Sequence, residues 1–133
     1  MRATKKETFD LLFDMLKQYY QGLLDGLIKT AGVLIIVAGW VATSSTLAEH
    51  LRTHRWERYI GIGLIAMGHI LFAIIAYRVY RLSHRTYDLL KEVDYLDSRY
   101  YDNFLVRRIT YLLYYSANLV ITLGIILMLW TIQ

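Results

Sequence analysis

A single histidine, His69, lies within the apolar stretches of this 133-residue chain. It occupies the middle of residues 59–77, YIGIGLIAMGHILFAIIAY, which carry no formal charge. An imidazole can ligate a metal centre, exchange hydrogen bonds, or carry a proton near neutral pH. An ionisable side chain in such a segment marks a functional site unless it is a polar contact between helices. Haem or chlorin ligation, quinone binding, proton relay and a packing contact therefore all stay open for His69.

Asn118 is the polar residue that we expect His69 to contact. His69 lies nine residues before Arg78, and Asn118 lies ten residues after Arg108, where these arginines border the uncharged stretches. Helices that cross a membrane at a similar tilt would therefore place both side chains near its midplane. A polar group without a hydrogen-bond partner costs several kcal/mol at that depth. We therefore predict a hydrogen bond between His69 and Asn118.

Three residues with metal-ligating side chains, His50, His54 and Glu57, lie between two apolar stretches. At separations of four and three residues they would share one face of a helix, and Zn²⁺ accepts imidazole and carboxylate ligands. The chain has no cysteine, so a thiolate site is excluded. The pattern indicates either a zinc site or polar residues that face lipid headgroups.

Charged residues concentrate in the segment 78–108 and fall into two sets. The arginines that border the apolar stretches suit anionic lipid headgroups or an acidic partner surface; they are Arg78, Arg81, Arg85, Arg107 and Arg108. The carboxylates alternate with basic residues, as is typical of a solvated, salt-bridged face; they are Asp88, Glu92, Asp94, Asp97 and Asp102. A Glu-x-x-His pattern, which a di-iron site would need, does not accompany them. Nucleophile-elbow, P-loop and dinucleotide-binding motifs are also missing, so we predict a protein that is not an enzyme and has no nucleic-acid partner.

Three apolar stretches must hold these side chains in place, and we predict that each is a transmembrane helix. They cover residues 30–48, 59–77 and 109–132, and none contains Asp, Glu, Lys or Arg. Nineteen helical residues span about 28 Å, close to the roughly 30 Å hydrocarbon core of a bilayer. The chain has no proline, so no span has to be kinked by one. The prediction is an all-α integral membrane protein whose residues 1–133 form one membrane domain.

Helical extensions are predicted on the polar side of these spans. Residues 5–29 repeat apolar side chains every three or four positions, which predicts an amphipathic helix that can continue into the first span. In residues 78–108 a second apolar series is formed by Leu82, Leu89, Val93, Leu96 and Tyr100. We expect the two apolar faces to pack together. Three ways of returning the chain stay open: a break near Ser83–His84, a helix tilted along the membrane, or a turn before Asp97.

Basic residues predict how the chain is threaded through the membrane. Lysine and arginine number five in residues 1–29, three in 49–58, seven in 78–108 and none after the third span. Because positive charge is retained on the cytoplasmic side, we predict a cytoplasmic N-terminus, a cytoplasmic segment 78–108 and a C-terminus outside. The predicted location is a cell inner membrane or an organellar inner membrane.

Small residues recur along the helices at packing distances. Pairs four or seven positions apart let helix backbones approach closely; they are Gly22/Gly26, Ala31/Ala38, Ala38/Ala42, Gly61/Gly68, Ala66/Ala73 and Ala117/Gly124. Three helices leave much apolar surface uncovered, so the expected partners are other membrane subunits or copies of this chain, with anionic lipids. The first hypothesis is therefore a non-catalytic accessory or structural subunit of a larger membrane protein complex. The alternatives are a haem-, pigment- or quinone-associated anchor that uses His69, and a homo-oligomeric pore or channel.

Two known families resemble this layout. Lys29 to Gly32 at the first span and Gly68 to Arg78 at the end of the second resemble the small membrane domain of vacuolar transporter chaperone proteins and their bacterial relatives. The acidic-arginine-threonine motif of that family is missing here, and the segment 78–108 is longer. Three spans with a histidine in the second also resemble the haem-and-quinone anchor subunits of succinate dehydrogenases, whose other signature residues are not evident in this chain.

Overall fold

The computed structural model describes residues 4–132, which form four α-helices. These are α1 (Lys5–Thr43), α2 (Ser45–Thr53), α3 (Arg55–Val93) and α4 (Arg108–Thr131), with short 3-10 turns at Ser98–Tyr100 and Asp102–Phe104. The described residues contain no strand. Three helical stretches, which include α1, α3 and α4, are long and apolar enough to cross a membrane. The predicted all-α class with three candidate spans is therefore confirmed.

The amphipathic segment and the first candidate span form one continuous helix, α1. It begins with a capping box, in which the Thr4 hydroxyl accepts from the Glu7 backbone N–H at 3.3 Å and the Glu7 carboxylate accepts from the Thr4 N–H at 2.8 Å. It ends at Thr43, because Ser44 is extended and its side chain caps α2 by accepting from the Leu47 N–H at 3.2 Å. The break between α1 and α2 falls inside the predicted span 30–48.

The chain divides into two compact units, and each is described by itself. The first unit comprises the chain up to Gly26 together with Ile75–Leu112. The second unit comprises Leu27–Ile74 and the chain from Leu113 onward. Helices α1, α3 and α4 each contribute residues to both.

The core of the first unit joins the amphipathic part of α1 to the end of α3 and the turns that follow. Its buried members are Phe9, Leu16, Leu90 and Tyr101. The rings of Phe9 and Tyr101 meet edge to face with their centroids 6.1 Å apart. The predicted packing of residues 5–29 against the segment 78–108 is therefore confirmed.

The face that α3 buries in this unit differs from the predicted one. Leu82, Leu89, Leu96 and Tyr100 are exposed, at 42%, 46%, 41% and 66% of their surface. The buried residues of the segment 78–108 are instead Ser83, Thr86, Leu90, Tyr101 and Val106. Ser83 and Thr86 lie on the buried face of α3, and the adjacent leucines lie on its exposed face. The apolar series in the sequence thus marks the wrong face, shifted by about one residue, and only Val93 of it packs on the core.

The chain reverses direction directly after α3. The helix continues through Ser83–His84 without a break and ends at Val93. Asp94 then adopts a φ of 47°, in the left-handed region, which aspartate tolerates better than most residues. Asp97 caps the following turn by accepting from the Arg99 N–H at 3.1 Å. Of the three open alternatives, the turn before Asp97 is the one that the structure shows.

The core of the second unit is apolar and lies where α4 meets the other helices. Its buried members are Leu51 from α2 and Ile125 and Leu129 from α4. Partly buried side chains of α1 and α3, among them Leu34 and Ile65, pack against them. This packing fixes the faces of α3 and α4 that carry the polar residues described next.

Candidate functional site

His69 of α3 and Thr122 of α4 make the polar contact at the centre of the second unit. His69 Nδ1 lies 3.0 Å from Thr122 Oγ1, which lies 2.9 Å from the backbone oxygen of Asn118. The backbone oxygen of Asn118 can only accept, so the single hydroxyl proton of Thr122 is donated to it. The contact between Thr122 Oγ1 and His69 Nδ1 is then a hydrogen bond only if His69 Nδ1–H donates to the threonine oxygen. This arrangement places the lone pair of the imidazole on Nε2.

Asn118 is fully buried, but it does not bind His69 directly. Its side-chain amide donates to the backbone oxygen of Leu27 at 3.1 Å and to that of Tyr114 at 2.9 Å. The predicted hydrogen bond between His69 and Asn118 is therefore wrong. The physical reason is that the amide finds acceptors on α1 and on its own helix, while Thr122, one turn further along α4, lies within reach of the imidazole.

The Nε2 atom of His69 is buried and has no hydrogen-bond partner among the described residues. The His69 ring lines a crevice of about 200 Å³, which we call the His69 crevice. Three residues of α1, four of α3 and two of α4 line it, and apart from His69, Thr30 and Thr122 they are apolar residues or glycine. A buried polar atom without a partner is costly in such surroundings. The crevice is thus the one place in the described spans where an imidazole lone pair is left open to an apolar space.

A haem or chlorin does not fit this crevice. An apolar cavity of about 150 Å³ holds one benzene ring, and drug-sized ligands occupy about 300–1,000 Å³. At about 200 Å³, the crevice accommodates a single substituted ring and not a macrocycle. The Nε2 lone pair has the chemistry of an axial ligand, but the space beside it does not suit the group.

The predicted zinc ligands, His50, His54 and Glu57, form a different arrangement. His50 Nε2 pairs with Glu57 Oε2 at 2.7 Å, and the His54 ring stacks on the His50 ring with centroids 4.4 Å apart. Helix α2 ends at Thr53 and α3 begins at Arg55, so the three residues do not share a face of one continuous helix. The described part of the chain contains no group of three or more His, Asp or Glu side chains placed to hold a metal ion. The structure does not bring the three side chains together as a ligand set, and it shows a polar contact at the junction of α2 and α3.

The five arginines singled out for headgroups or a partner all lie in the first unit and are exposed; they are Arg78, Arg81, Arg85, Arg107 and Arg108. None of them forms an ion pair or a hydrogen bond with another described residue. The guanidinium of Arg81 lies 5.9 Å from the ring centre of Tyr77. These positive charges are not neutralised within the described chain, so their assignment to anionic headgroups or an acidic partner stays a prediction.

A pair of residues in the first unit could not be found by sequence reasoning. The Tyr87 hydroxyl donates to Asp102 Oδ1 at 2.5 Å, across the turn that follows α3. This hydrogen bond, assisted by burial and by the negative charge of Asp102, raises the pKa of Tyr87 to about 12. Burial also raises the pKa of the neighbouring Tyr101. Fifteen residues separate Tyr87 from Asp102, so no local spacing predicts their contact.

No protein-family model, curated protein or solved structure matches this chain. The two family resemblances of the sequence therefore receive no support from these comparisons.

Proposed function

We propose that this chain is a non-catalytic accessory subunit of a larger membrane protein complex, which it joins through the small-residue faces of its candidate spans. The observation that carries this proposal concerns the eight glycines. A Cβ added at any of them would meet no atom of the described chain within 4 Å, beyond the glycine's own neighbours and helix backbone. The glycines are thus not used for packing within the chain.

A glycine in a helix that contacts no other element lowers the stability of the helix without improving packing within the chain. In a helix interior it is about 1 kcal/mol less favourable than alanine. In membranes, glycine compensates for this cost where it lets another helix backbone approach closely. Gly32 and Gly39 are both exposed and lie seven residues apart, on one face of α1. A helix supplied by another subunit accounts for such a face, whereas lipid chains would contact larger side chains equally well.

The low burial of the candidate spans supports the same proposal. In the most apolar eighteen-residue stretch of each span, 11%, 6% and 22% of the residues are buried within the chain. Large apolar side chains on these helices, among them Ile36 and Leu64, are exposed to more than half of their surface. Lipid can cover part of this surface, and the open glycine faces indicate where protein covers the rest.

Substitution of the α1 glycines tests this proposal. We expect Gly32→Leu and Gly39→Leu to weaken assembly at least tenfold, because a side chain of four carbons would overlap a closely packed partner helix. The amount of complex is measured by native electrophoresis after solubilisation in a mild detergent. Val33→Leu, next to Gly32 and 60% exposed, is the matched control and should leave assembly unchanged. Unaltered assembly in both glycine variants would contradict the proposal.

The predicted orientation belongs to this proposal. We place the N-terminus and the arginine-rich first unit in the cytoplasm, in contact with anionic lipid headgroups, and the residues after α4 on the opposite side. The chain contains no cysteine, so labelling of single introduced cysteines has no background. A cysteine at Thr4 should resist an impermeant thiol reagent applied from outside the cell, and one at position 133 should react. The reverse pattern would invert the topology.

A further inference from the structure

We propose that the His69 crevice binds an apolar ligand with a single six-membered ring that carries a hydroxyl group, of the benzoquinol class, and that His69 Nε2 accepts the hydroxyl proton in a hydrogen bond. This inference goes beyond the role of an accessory subunit and does not depend on it. It rests on three features of the second unit: the proton arrangement of the His69 ring, the volume of the crevice, and its opening beside Gly68.

The proton arrangement decides what kind of group the ligand presents. When both contacts of Thr122 are hydrogen bonds, its hydroxyl donates to the Asn118 carbonyl, His69 Nδ1–H donates to Thr122, and Nε2 carries a lone pair that can only accept. The atom is buried, and no described residue donates to it. A ligand that supplies an O–H or N–H donor would satisfy it, whereas a carbonyl or an ether oxygen would leave it unpaired. The reduced, hydroxyl-bearing form of a ring is therefore preferred over a form without a donor.

The volume and the lining decide what the rest of the ligand is. A space of about 200 Å³ exceeds the roughly 150 Å³ that holds one benzene ring, so a ring with small substituents fits. Leu34, Val37, Phe72 and Ile125 supply apolar walls, which favour an uncharged aromatic ring. An ionised ligand would lose its hydration there without a counter-charge among the lining residues.

The crevice opens where Gly68 lines it. Gly68 is exposed, and a Cβ at this position would meet no atom of the described chain within 4 Å. A tail attached to the bound ring can therefore leave the crevice past Gly68 towards the hydrocarbon phase. A hydrophobic tail would also concentrate the ligand in the membrane, from which the crevice is reached.

Binding of two matched probes tests this inference. The full chain in lipid nanodiscs is titrated anaerobically with a decyl benzoquinol and with its dimethyl ether, which has the same ring but no O–H donor. We expect the quinol to bind about tenfold more tightly than the ether, which is the value of about one buried hydrogen bond. In the quinol complex, the ¹⁵N resonance of His69 Nε2 should shift towards the values of a hydrogen-bonded nitrogen, and in the ether complex it should not.

Two variants test separately the hydrogen-bond acceptor, His69 Nε2, and the space of the His69 crevice. His69→Asn retains an amide donor for Thr122 but has no atom at the position of Nε2, so the preference for the quinol over the ether should disappear. Gly68→Leu should fill the opening and abolish binding of both probes. Gly63→Leu, at an exposed glycine of α3 that does not line the crevice, is the matched control and should bind as the native chain does.

Three results would overturn the inference. The first is that neither probe binds to the native chain. The second is that both probes bind equally well, which would show that any apolar group, such as a lipid acyl chain, occupies the crevice. The third is that His69→Asn keeps the preference for the quinol, which would show that another donor or acceptor recognises the ring.

Discussion

At the scale of single residues, the buried polar contacts of the second unit are linked into one chain. The side-chain amide of Asn118 donates to the backbone oxygen of Leu27 on α1. The backbone oxygen of Asn118 accepts from the Thr122 hydroxyl, and the oxygen of that hydroxyl accepts from His69 Nδ1–H. Each link uses a donor or acceptor that would otherwise be unsatisfied in an apolar environment. The chain of contacts therefore fixes the rotation of α4 relative to α3 and orients the imidazole.

Thr122→Val tests this chain of contacts, because it removes the hydroxyl and keeps the shape of the side chain. Side-chain hydrogen bonds between transmembrane helices average about 0.6 kcal/mol and reach about 1.7 kcal/mol. We expect Thr122→Val to lower the free energy of unfolding by an amount in this range, and Thr122→Ser to keep the hydrogen bond and lose only the contacts of one buried methyl group. Unfolding is followed by circular dichroism in mixed micelles with increasing dodecyl sulfate. An unfolding free energy of Thr122→Val equal to that of the native chain would show that the hydroxyl is not used.

His69 and Asn118 can be selected from the sequence because they are polar residues in uncharged stretches, but their true partners cannot. The hydroxyl of a threonine in a helix usually donates to a backbone carbonyl of the preceding turn, so the sequence does not indicate Thr122 as a partner of another helix. Its role depends on the distance between α3 and α4, which no spacing along the chain encodes. The same holds for Tyr87 and Asp102, which meet only because the chain reverses direction at Asp94.

The contact between Tyr87 and Asp102 predicts a loss of stability at alkaline pH. The pKa of Tyr87 is raised from 10.0 to about 12, so the folded state holds the phenol proton more tightly than the unfolded state. The stabilisation is therefore complete below pH 10 and is lost as the pH rises through about 12. Measured between pH 9 and 12, the unfolding free energy of the native chain should fall more steeply than that of Tyr87→Phe. Parallel pH profiles would contradict this assignment.

At the scale of the helices, the position of the buried face on α3 is the feature that sequence periodicity misjudged. Leucine spacing favours Leu82 and Leu89, but the helix buries Ser83 and Leu90. Periodicity weighs residues by hydrophobicity, whereas close helix packing also rewards small side chains such as serine. The existence of the long helices was predictable, because the chain lacks proline and the apolar stretches are long. Their ends were not, since α1 ends at Thr43 inside the predicted span 30–48 and the end of α3 at Val93 was one of several alternatives.

Two neighbouring leucines measure this register directly. Leu90 is fully buried, so Leu90→Ala should lower the free energy of unfolding of the first unit by about 2–5 kcal/mol through lost contacts and a cavity. Leu89 is 46% exposed, so Leu89→Ala should cost less than about 1 kcal/mol. The rate of limited proteolysis within Ser98–Tyr100 reports the opening of this unit. A larger loss of unfolding free energy in Leu89→Ala than in Leu90→Ala would contradict the buried face seen in the structure and support the face that the sequence predicts.

At the scale of the whole molecule, the described chain exposes much apolar surface, and its glycines make few packing contacts within the chain. All eight glycines face open space, and the candidate spans are mostly unburied within the chain. Composition alone predicts the small-residue pairs, but it cannot tell whether they pack within one chain or between chains. In the structure, a Cβ added at any of these glycines would meet no atom within 4 Å beyond its own neighbours and helix backbone, and this observation supports the proposal of a larger assembly.

The mass of the assembly released from native membranes tests the central proposal most directly. Native mass spectrometry of complexes extracted in lipid nanodiscs should find this 15.6 kDa chain together with different protein chains. Gly32→Leu and Gly39→Leu should release it from them, while Val33→Leu should not. A native chain found alone, or only in multiples of its own mass, would contradict the role of an accessory subunit.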